Sequence, residues 1–415
     1  METILIAAKA LNDIRLANIT FADFSNQLRG KEYQELSQQA KREVRTFVSC
    51  ALHKQEITRF TLLQHGLDEM DPINQSIVNV FLCNRYFLKI LDVDVDKLLS
   101  WIDNEHDREL VSNSEIITGT VKSLFPSQLD FKTPFALSLR YNFPIDFVEK
   151  LIEDFGFNKT QRFLDKYSNV YQIHGRINPS LTTIDSFLAA NQDFKQVGIK
   201  DAFVYDGKTS IKGLDSYKNC QFYTMPVTDL LVADQIIAFN PSTMLIVEQE
   251  KTSMLIDLAK QKPDLIIHML VANKHRYHVI GSVIKMFALT NVVAATEDRA
   301  ELLDSYDIVY LTPSSSNLEQ IKARPDFFIK FNLDEDYASA IDQQIESAKK
   351  YVKAGGRLII KVGTLLRKET VELAQKFIAE NDDYTLEYER QYMPYHKEQT
   401  IAYYAIFRKK NTDEN

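Results

Sequence analysis

The sequence predicts a two-part chain, in which an all-helical N-terminal domain is followed by an open, doubly wound α/β sheet. Through residues 1 to about 130, apolar residues recur every three or four positions with few Gly or Pro between them, as in amphipathic helices. From residue 225 onwards, short apolar runs alternate with amphipathic segments, which is typical of a mostly parallel sheet covered by helices. Residues 352–381 contain, in order, the end of a helix, a Gly-Gly turn, an apolar run, a loop and the start of another helix. This order is typical of the late part of such a sheet.

The N-terminal region contains amphipathic stretches that fit a helical bundle. They are ETILIAAKALNDIRLANITFADFSNQL, KREVRTFVSCALHKQEITRFTLLQHGL, INQSIVNVFLCNRYFLKIL and SNSEIITGTVKSLF. The stretch SQLDFKTP that follows has the composition of a linker. We therefore expect the first domain to span residues 1–130.

Residues 131–225 predict a small connecting α+β subdomain. The segment PIDFVEKLIEDFG has helical spacing, and Gly156 stands where a helix C-cap is expected. The segment VYQIHGRINPS favours a strand that ends at Pro179, and TTIDSFLAANQ favours a second helix.

Residues 226–410 predict the sheet domain. The segments TMLIVEQ, DLIIHMLVAN, NVVAATED and DIVYLTPS are typical of strands, and the helical segments TDLLVADQIIAFN, KTSMLIDLAKQK and HRYHVIGSVIKMFAL stand between them. A helix is expected to end at Lys353, with a turn at Gly355 and Gly356 and a buried strand from Arg357 to Val362. The alternating tail, TLEYERQYMP and TIAYYAIFRKK, predicts a closing antiparallel hairpin.

Composition excludes several classes of protein. No apolar run approaches the roughly 18 residues of a membrane span, and no basic and apolar leader begins the chain. The three cysteines lie far apart in sequence, so a cytoplasmic protein without disulfides is expected. With a net charge of −8, any nucleic-acid contact must come from local basic patches. Glycine numbers only 12, which is few for an enzyme with a cofactor-cradling loop.

The segment HMLVANKHRYH gathers three imidazoles, from His268, His275 and His278. No carboxylate or cysteine stands at ligand spacing beside them, so no metal site is expected. The same segment is basic with interleaved aromatic residues, a composition that RNA-stacking surfaces use, although a solvated surface has it too.

Several motifs, in order along the chain, resemble the RsmB / Nop–Sun family of RNA 5-methylcytosine methyltransferases. VKAGGRLIIKVGTLLRKE is similar to the family's LKPGGRLVYSTCSLLPEE, and YDIVYLTPSSS is similar to FDRILLDAPCS. RPDF, HGRIN and IAYYAIFRKK resemble the family's HPDI, LRVN and GFFYARLRK elements. The resemblance implies a NusB-like RNA-binding domain at 1–130, a connecting subdomain at 131–225, and a Rossmann-like class I methyltransferase domain at 226–410.

The sequence departs from this family at the catalytic positions. The family uses one cysteine to attack cytosine and a second to help release the product, because a thiolate is both a strong nucleophile and a good leaving group. Here the position of the cysteine in TCS is Gly363 and that of the cysteine in APC is Ser314, and the acid before the APC cysteine is replaced by Leu311 or Thr312. We therefore expect no catalytic residue, and a polar loop is the ordinary interpretation of Ser314.

The sequence also departs from the family at the cofactor positions. The family's Gly-Gly turn after the first strand is missing, and the bulky residues 248–250 stand there instead. The acid expected after the second strand is replaced by Val271 or Asn273. Lys251, Thr252 and Asp298 remain as a relic set, although first-turn residues of a helix and a capping acid are ordinary alternatives. No cofactor is expected, and S-adenosylmethionine is the cofactor if the protein is active.

Five residues are candidates for RNA contact. Lys41, Arg42 and Arg45 can share one helix face, which in NusB-like domains can contact RNA; a charged exterior is the alternative. Arg176 and Asn178 belong to the HGRIN element that the resemblance associates with RNA.

The leading hypothesis is an RNA-binding, catalytically inactive relative of these enzymes, with ribosomal RNA as the expected partner and no membrane association. One alternative is an active S-adenosylmethionine-dependent rRNA methyltransferase with an atypical site. A second alternative is a NusB-like module for protein interaction or antitermination.

Overall fold

The chain folds into two compact units. The structure, a computed structural model, describes residues 2–27, 31–119, 121–126, 129–130, 132–167, 172–247, 252–296, 305–395 and 400–411. The helical unit comprises Met1–Ser168 and Gln320–Asp334, and the sheet unit comprises Asn169–Glu319 and Glu335–Asn415. None of the helices in these residues is long and apolar enough to cross a membrane.

Every regular element described in the helical unit is a helix, as the sequence predicts. A π-helical turn at Asn84–Leu88 extends the sixth of them. The helices are α1 (Glu2–Arg15), α2 (Phe21–Gln27), α3 (Lys31–Gln34), α4 (Gln38–His53), α5 (Gln55–Gln64), α6 (Pro72–Cys83), α7 (Val95–Leu99), α8 (Glu105–Asn113), α9 (Glu115–Thr118), α10 (Pro134–Tyr141), α11 (Ile145–Phe155), α12 (Phe157–Tyr167) and, from the later segment, α18 (Phe327–Lys330).

Helix α4 illustrates how local sequence sets these elements. The Ser37 side chain accepts a hydrogen bond from the Ala40 amide at 3.2 Å, which satisfies one of the free donors at the helix start. One face of the helix is buried against α1 and α6 in a shared apolar core, and its members are Val44, Phe47, Val48, Ala51 and Leu52. Lys41, Arg42 and Arg45 lie outside this buried face.

An aromatic cluster holds the segment 320–334 inside the helical unit. Phe328 lies 5.5 Å from Phe143 and 5.1 Å from Phe147 between ring centroids, and Phe331 also packs on Phe147. The Asp326 carboxylate accepts the Phe21 amide at 3.1 Å. Helices α10–α12 therefore belong to the first compact unit, whereas the sequence pattern predicts a boundary at residue 130.

The sheet unit contains a four-stranded antiparallel sheet and a seven-stranded mixed sheet. Its strands are β1 (Ile173–Ile177), β2 (Phe194–Gln196), β3 (Ala202–Tyr205), β4 (Phe222–Thr224), β5 (Thr243–Val247), β6 (Ile266–Leu270), β7 (Val292–Ala295), β8 (Tyr306–Leu311), β9 (Val352–Val362), β10 (Tyr384–Tyr392) and β11 (Ala402–Lys409). Its helices are α13 (Ile184–Ala190), α14 (Asp215–Lys218), α15 (Val227–Ala238), α16 (Ser253–Gln261), α17 (Lys274–Met286), α19 (Tyr337–Lys349) and α20 (Val371–Glu380).

The larger sheet confirms the predicted Rossmann-like fold. Its strand order is β10-β11-β9-β8-β5-β6-β7, with parallel pairing from β9 to β7 and antiparallel pairing of β11 with β9 and β10. Helices α15–α17 share one apolar core with one face of the sheet, and α19 and α20 share another with the opposite face. The chain reverses its direction of growth between β5 and β8, and ligands bind at the carboxyl ends of strands beside such a switch point.

The Gly-Gly pair does not end a helix as predicted. Helix α19 ends at Lys349, and β9 runs through the glycines from Val352. The register with β8 shifts there, so that Val352 pairs with Tyr306 but Arg357 pairs with Ile308. Gly355 has a φ of +74°, which explains why glycine stands at this irregularity.

Candidate functional site

A cavity of about 660 Å³ opens at the carboxyl ends of β5, β6 and β7. Its floor is apolar, and helices α17 and α19 supply walls that carry amide, hydroxyl, ammonium and imidazole groups. The residues that line it are Val247, Leu270, Val271, Ala272, Asn273, Lys274, Tyr277, His278, Thr296, Gln344, Ser347, Ala348 and Tyr351. This is the edge of the sheet at which the fold predicts a ligand, and the volume lies within the roughly 300–1,000 Å³ of small-molecule sites.

The first two turns of α17 form one wall of the cavity. Asn273 caps the helix, because its side-chain oxygen accepts the Arg276 amide at 3.0 Å. Lys274 and His278 are four residues apart and therefore lie on the same face of the helix. Neither side chain has an acidic partner among the described residues.

The residues predicted at the cofactor positions differ in where the structure places them. Val271 and Asn273, which replace the expected acid after the second strand, both line the cavity. Thr252 precedes α16 as its N-cap residue without a side-chain cap bond, and its carbonyl accepts the Ile256 amide at 3.0 Å. Lys251 and Asp298 lie outside the described residues, as do residues 248–250, so their assignment stays a prediction.

Gly363, which the resemblance aligns with the cysteine of the family's TCS motif, is backed by the side chain of Glu319. A Cβ atom at residue 363 would stand 2.7 Å from Glu319 Cγ and 2.8 Å from Glu319 Cδ. The Glu319 amide also donates to the Gly363 carbonyl at 2.8 Å. The space that a side chain at this position would enter is therefore filled by a carboxylate-bearing side chain.

Glu319 belongs to a buried ionic cluster at the end of β9. The Lys361 ammonium lies 3.3 Å from Glu319 Oε2 and 3.3 Å from Asp229 Oδ1. The Tyr404 hydroxyl donates to the same Asp229 oxygen. Burial acts to lower the pKa of Lys361, but the carboxylates of Asp229 and Glu319 outweigh it and leave that pKa above its ordinary value.

The serine loop after β8 is bound by neighbouring side chains. Ser314 is exposed, and its amide donates to the Gln344 side chain at 3.0 Å. The Ser316 amide donates to the Glu369 carboxylate at 2.8 Å, and its hydroxyl bonds Thr364 Oγ1 at 2.8 Å. Burial raises the pKa of Glu369. These bonds fix the loop beside the segment that follows β9.

The residues predicted to contact RNA separate into two groups. Arg42 and Arg45 are exposed on α4 and Lys41 is half-buried beside them, with Lys41 donating to the Gln34 carbonyl and Arg45 to the Ser25 carbonyl, both at 2.9 Å. These three residues, named here the α4 basic face, therefore stand together on the helical unit.

Arg176 and Asn178 do not reach the surface. Arg176 is 1% exposed and places its guanidinium 2.9 Å from Asp257 and 2.7 Å from Asp234. Asn178 is also buried and donates to the Cys220 carbonyl at 3.1 Å. Their predicted contact with RNA does not fit this placement, because their polar groups join β1 to neighbouring elements of the sheet unit.

Sequence reasoning missed the ionic cluster. One signal was available, since Lys361 stands within an apolar run that was predicted to be a buried strand. A lysine in such a position needs an acidic partner. Nothing in the pattern indicated Asp229 or Glu319, which come from distant parts of the chain. Among the described residues, no group of three His, Cys, Asp or Glu side chains could hold a metal ion.

Comparison with known proteins supports the fold. No family model matches the chain, and no curated protein matches it. The solved structure of PH0851 is similar over 99% of both chains, with 16% identity and a TM-score of 0.71.

Two further structures resemble a part of the chain. A methyltransferase homolog protein from Pyrococcus horikoshii matches 66% of this chain and 98% of its own, with 16% identity and a TM-score of 0.53. NSun6 from Pyrococcus horikoshii, solved with SFG, matches 63% of this chain and 97% of its own, with 12% identity and a TM-score of 0.55. At these identities the likeness establishes a shared methyltransferase fold.

Proposed function

We propose that this protein binds RNA and has lost the cytosine-5 methylation chemistry of the family that its sequence resembles. The observation that carries the proposal is the Glu319 side chain against Gly363. A thiol at residue 363 would need the volume that Glu319 fills. A thiolate there would also lie beside carboxylate charge, which raises the pKa of a thiol and lowers its reactive fraction.

The other family cysteine position does not supply a nucleophile either. Ser314 offers a hydroxyl, which requires a neighbouring base to become a nucleophile. Within the described part of the chain, no imidazole or carboxylate hydrogen-bonds its side chain. Leu311, one of the two candidates for the family's acid, is buried at the end of β8. The loop therefore supplies neither the nucleophile nor the acid that the reaction needs.

RNA binding is assigned to the α4 basic face. Arg42 and Arg45 are exposed, and the Lys41 ammonium stands near them, 5.7 Å from the centre of the Tyr33 ring. Clustered cations on one helix can neutralise several phosphates, which matters in a chain whose net charge is −8. The resemblance to NusB-like domains gives the same helical region an RNA-binding role.

The catalytic part of the proposal is tested by incubating the protein with labelled S-adenosylmethionine and total RNA. We expect no label in cytosine, whereas label in cytosine together with saturable cofactor binding would overturn the proposal. A related enzyme that methylates the same RNA preparation serves as the positive control.

The RNA-binding part is tested by fluorescence anisotropy with structured ribosomal RNA fragments. The double variant Arg42→Glu and Arg45→Glu should weaken binding at least tenfold and reduce the slope of log affinity against log salt. Lys97→Glu is the matched control, because it changes an exposed cation on α7 of the same unit. An equal loss of RNA affinity in both variants would contradict specific binding by the α4 basic face. Failure to bind RNA, with a protein partner that remains after RNase treatment, would favour the interaction module.

A second candidate function is an active methyltransferase that uses S-adenosylmethionine through an atypical site. The cavity at the carboxyl ends of β5, β6 and β7 favours it, because this is where a Rossmann-like sheet holds a nucleoside cofactor. Cofactor at a hundredfold excess over its dissociation constant would stabilise the fold by about 2.7 kcal/mol. A melting curve that does not move at millimolar cofactor would exclude this candidate.

A further inference from the structure

Two of the three cysteines lie against each other in the helical unit. Cys50 stands on α4 and Cys83 is the last residue of α6, and both pack into the core that α1, α4 and α6 share. Their side chains are hydrogen-bonded to each other, and both thiols are free. One turn beyond each cysteine, the Lys54 ammonium lies 5.2 Å from the centre of the Phe87 ring. The packing of two neighbouring helices therefore holds the two thiols together.

The two thiols differ in their access to solvent. Cys83 is fully buried, and its sulfur lies 3.6 Å from the side-chain oxygen of Asn79. Cys50 is only half-buried, so a small molecule in solution can reach its sulfur. A reagent from solvent must therefore meet Cys50 first.

The two thiols also differ in acidity. The hydrogen bond from Cys83 holds the pKa of the Cys50 thiol below its ordinary value; burial opposes this shift, and the ammonium of Lys54 adds to it. The same hydrogen bond, together with burial, raises the pKa of the Cys83 thiol. Cys50 is therefore both the accessible thiol and the one that ionises first.

We propose that Cys50 and Cys83 form a redox-reactive pair, in which hydrogen peroxide oxidises Cys50 and Cys83 then closes a disulfide between α4 and α6. Cysteines that react with peroxide combine thiolate character, access from solvent and a neighbouring thiol that resolves the oxidised form. Two cations favour the thiolates, because Lys54 lies near Cys50 and Arg15, the last residue of α1, lies near Cys83. Thiols that already touch need only small side-chain rotations to form the bond.

The reaction balances with one peroxide per chain. The Cys50 thiolate attacks one peroxide oxygen, the oxygen–oxygen bond breaks, and hydroxide leaves as Cys50 becomes a sulfenic acid. The Cys83 sulfur then attacks the Cys50 sulfur and expels a second hydroxide. The protons that the two thiols release convert both hydroxides to water. The two sulfur atoms together lose two electrons, which the peroxide gains, and a thiol reductant reverses the change by disulfide exchange.

The inference goes beyond the proposed function and does not depend on it, because the reaction involves the thiol pair and no RNA. The test is treatment of the reduced full chain with hydrogen peroxide, followed by alkylation of free thiols and peptide mass spectrometry without reductant. We expect a cross-linked peptide pair that contains Cys50 and Cys83, lighter by two hydrogen atoms than its separate peptides. Dithiothreitol should return both thiols.

Cys220 is the internal control. It lies in the sheet unit and is half-buried like Cys50, but burial raises its pKa. We therefore expect peroxide to oxidise Cys220 about tenfold more slowly than Cys50.

Single substitutions separate the roles of the two thiols. Cys83→Ser should stop the reaction at the sulfenic acid of Cys50, which dimedone traps, whereas Cys50→Ser should leave Cys83 unoxidised. Cys220→Ser is the matched control and should form the disulfide as fast as the unsubstituted chain. Circular dichroism of the reduced proteins establishes that each variant is folded, and the unsubstituted chain decides the inference if Cys83→Ser is not.

The absence of the Cys50–Cys83 cross-link at millimolar peroxide overturns the inference. Oxidation of Cys220 at the same rate as Cys50 also overturns it, as does oxidation of Cys83 in the Cys50→Ser variant. A cross-link that forms first and disappears with dithiothreitol supports it. The Arg42→Glu, Arg45→Glu variant should form the same cross-link, so failure of the RNA proposal remains distinguishable.

Discussion

Replacing Gly363 with alanine tests whether Glu319 fills the space that a side chain at residue 363 would enter. The new Cβ would stand 2.7 Å from Glu319 Cγ and 2.8 Å from Cδ, against the roughly 3.5–4.0 Å of an ordinary carbon contact. Glu319 must therefore move by close to 1 Å, which disturbs its 3.3 Å pair with Lys361. Overpacking of this kind costs about 1–3 kcal/mol, and we expect a loss of unfolding free energy in that range.

A double-mutant cycle gives this prediction its control. Glu319→Ala removes the atoms that the new Cβ would meet, so Gly363→Ala should cost little in that background. We expect a coupling free energy of about 1–2 kcal/mol between the two sites. Additive effects of the two substitutions would refute the assignment of Glu319 to this space.

The assay must report on the sheet unit. The single tryptophan, Trp101, packs against the core of the helical unit. Its fluorescence therefore reports unfolding of the helical unit and not of the sheet unit. Far-ultraviolet circular dichroism during denaturation gives the total unfolding free energy. Hydrogen exchange of the β9 amides then localises the change to the strand that carries Gly363.

Three further predictions concern stability. Lys361→Met should cost about 3–5 kcal/mol in denaturant unfolding, because it leaves Asp229 buried without its cation, and adding Asp229→Asn should recover part of this loss; no recovery would contradict the ion pair. Burial raises the pKa of Asp257 to about 6, above the roughly 3.9 of an unfolded chain, so the folded state binds the proton more tightly between these values. This group's contribution to stability should therefore rise by up to about 3 kcal/mol as pH falls from 7 to 4, and the pH dependence of melting should lose that component in Asp257→Asn. Gly281→Ala should raise the unfolding free energy by up to about 1 kcal/mol, because its Cβ in the middle of α17 meets nothing within 4 Å; a lowered melting temperature would contradict this.

The sheet was predictable because each of its strands has a recognisable pattern in the local sequence. Apolar runs such as TMLIVEQ and DLIIHMLVAN become β5 and β6, and the alternating tail becomes the β10–β11 hairpin. The residue at which β9 begins was not predictable in the same way. The register shift that admits Gly355 depends on pairing with β8, which is set by a segment more than 40 residues earlier.

The site was less predictable, because it depends on contacts between distant residues. The departures from the family pattern at Ser314 and Gly363 could be located by resemblance alone, but the side chain that stands against Gly363 could not. Glu319 reaches Gly363 across 44 positions, and Asp229 reaches Lys361 across 132. Likewise, the sequence alone makes Arg176 a candidate for RNA contact. Only its ion pair with Asp257 shows that it is an interior residue.

The carboxyl ends of β9 and β6 carry different charged side chains. At β9, the carboxyl groups of Asp229 and Glu319 share the ammonium of Lys361 beside Gly363, which the resemblance aligns with one family cysteine. At β6, the described wall of the cavity carries Lys274 and no acid. Cytosine-5 methylation needs a thiolate at the first end and a cationic methyl donor at the second. A thiolate at residue 363 would stand beside the carboxylate of Glu319, so restoring a cysteine there alone should not restore activity.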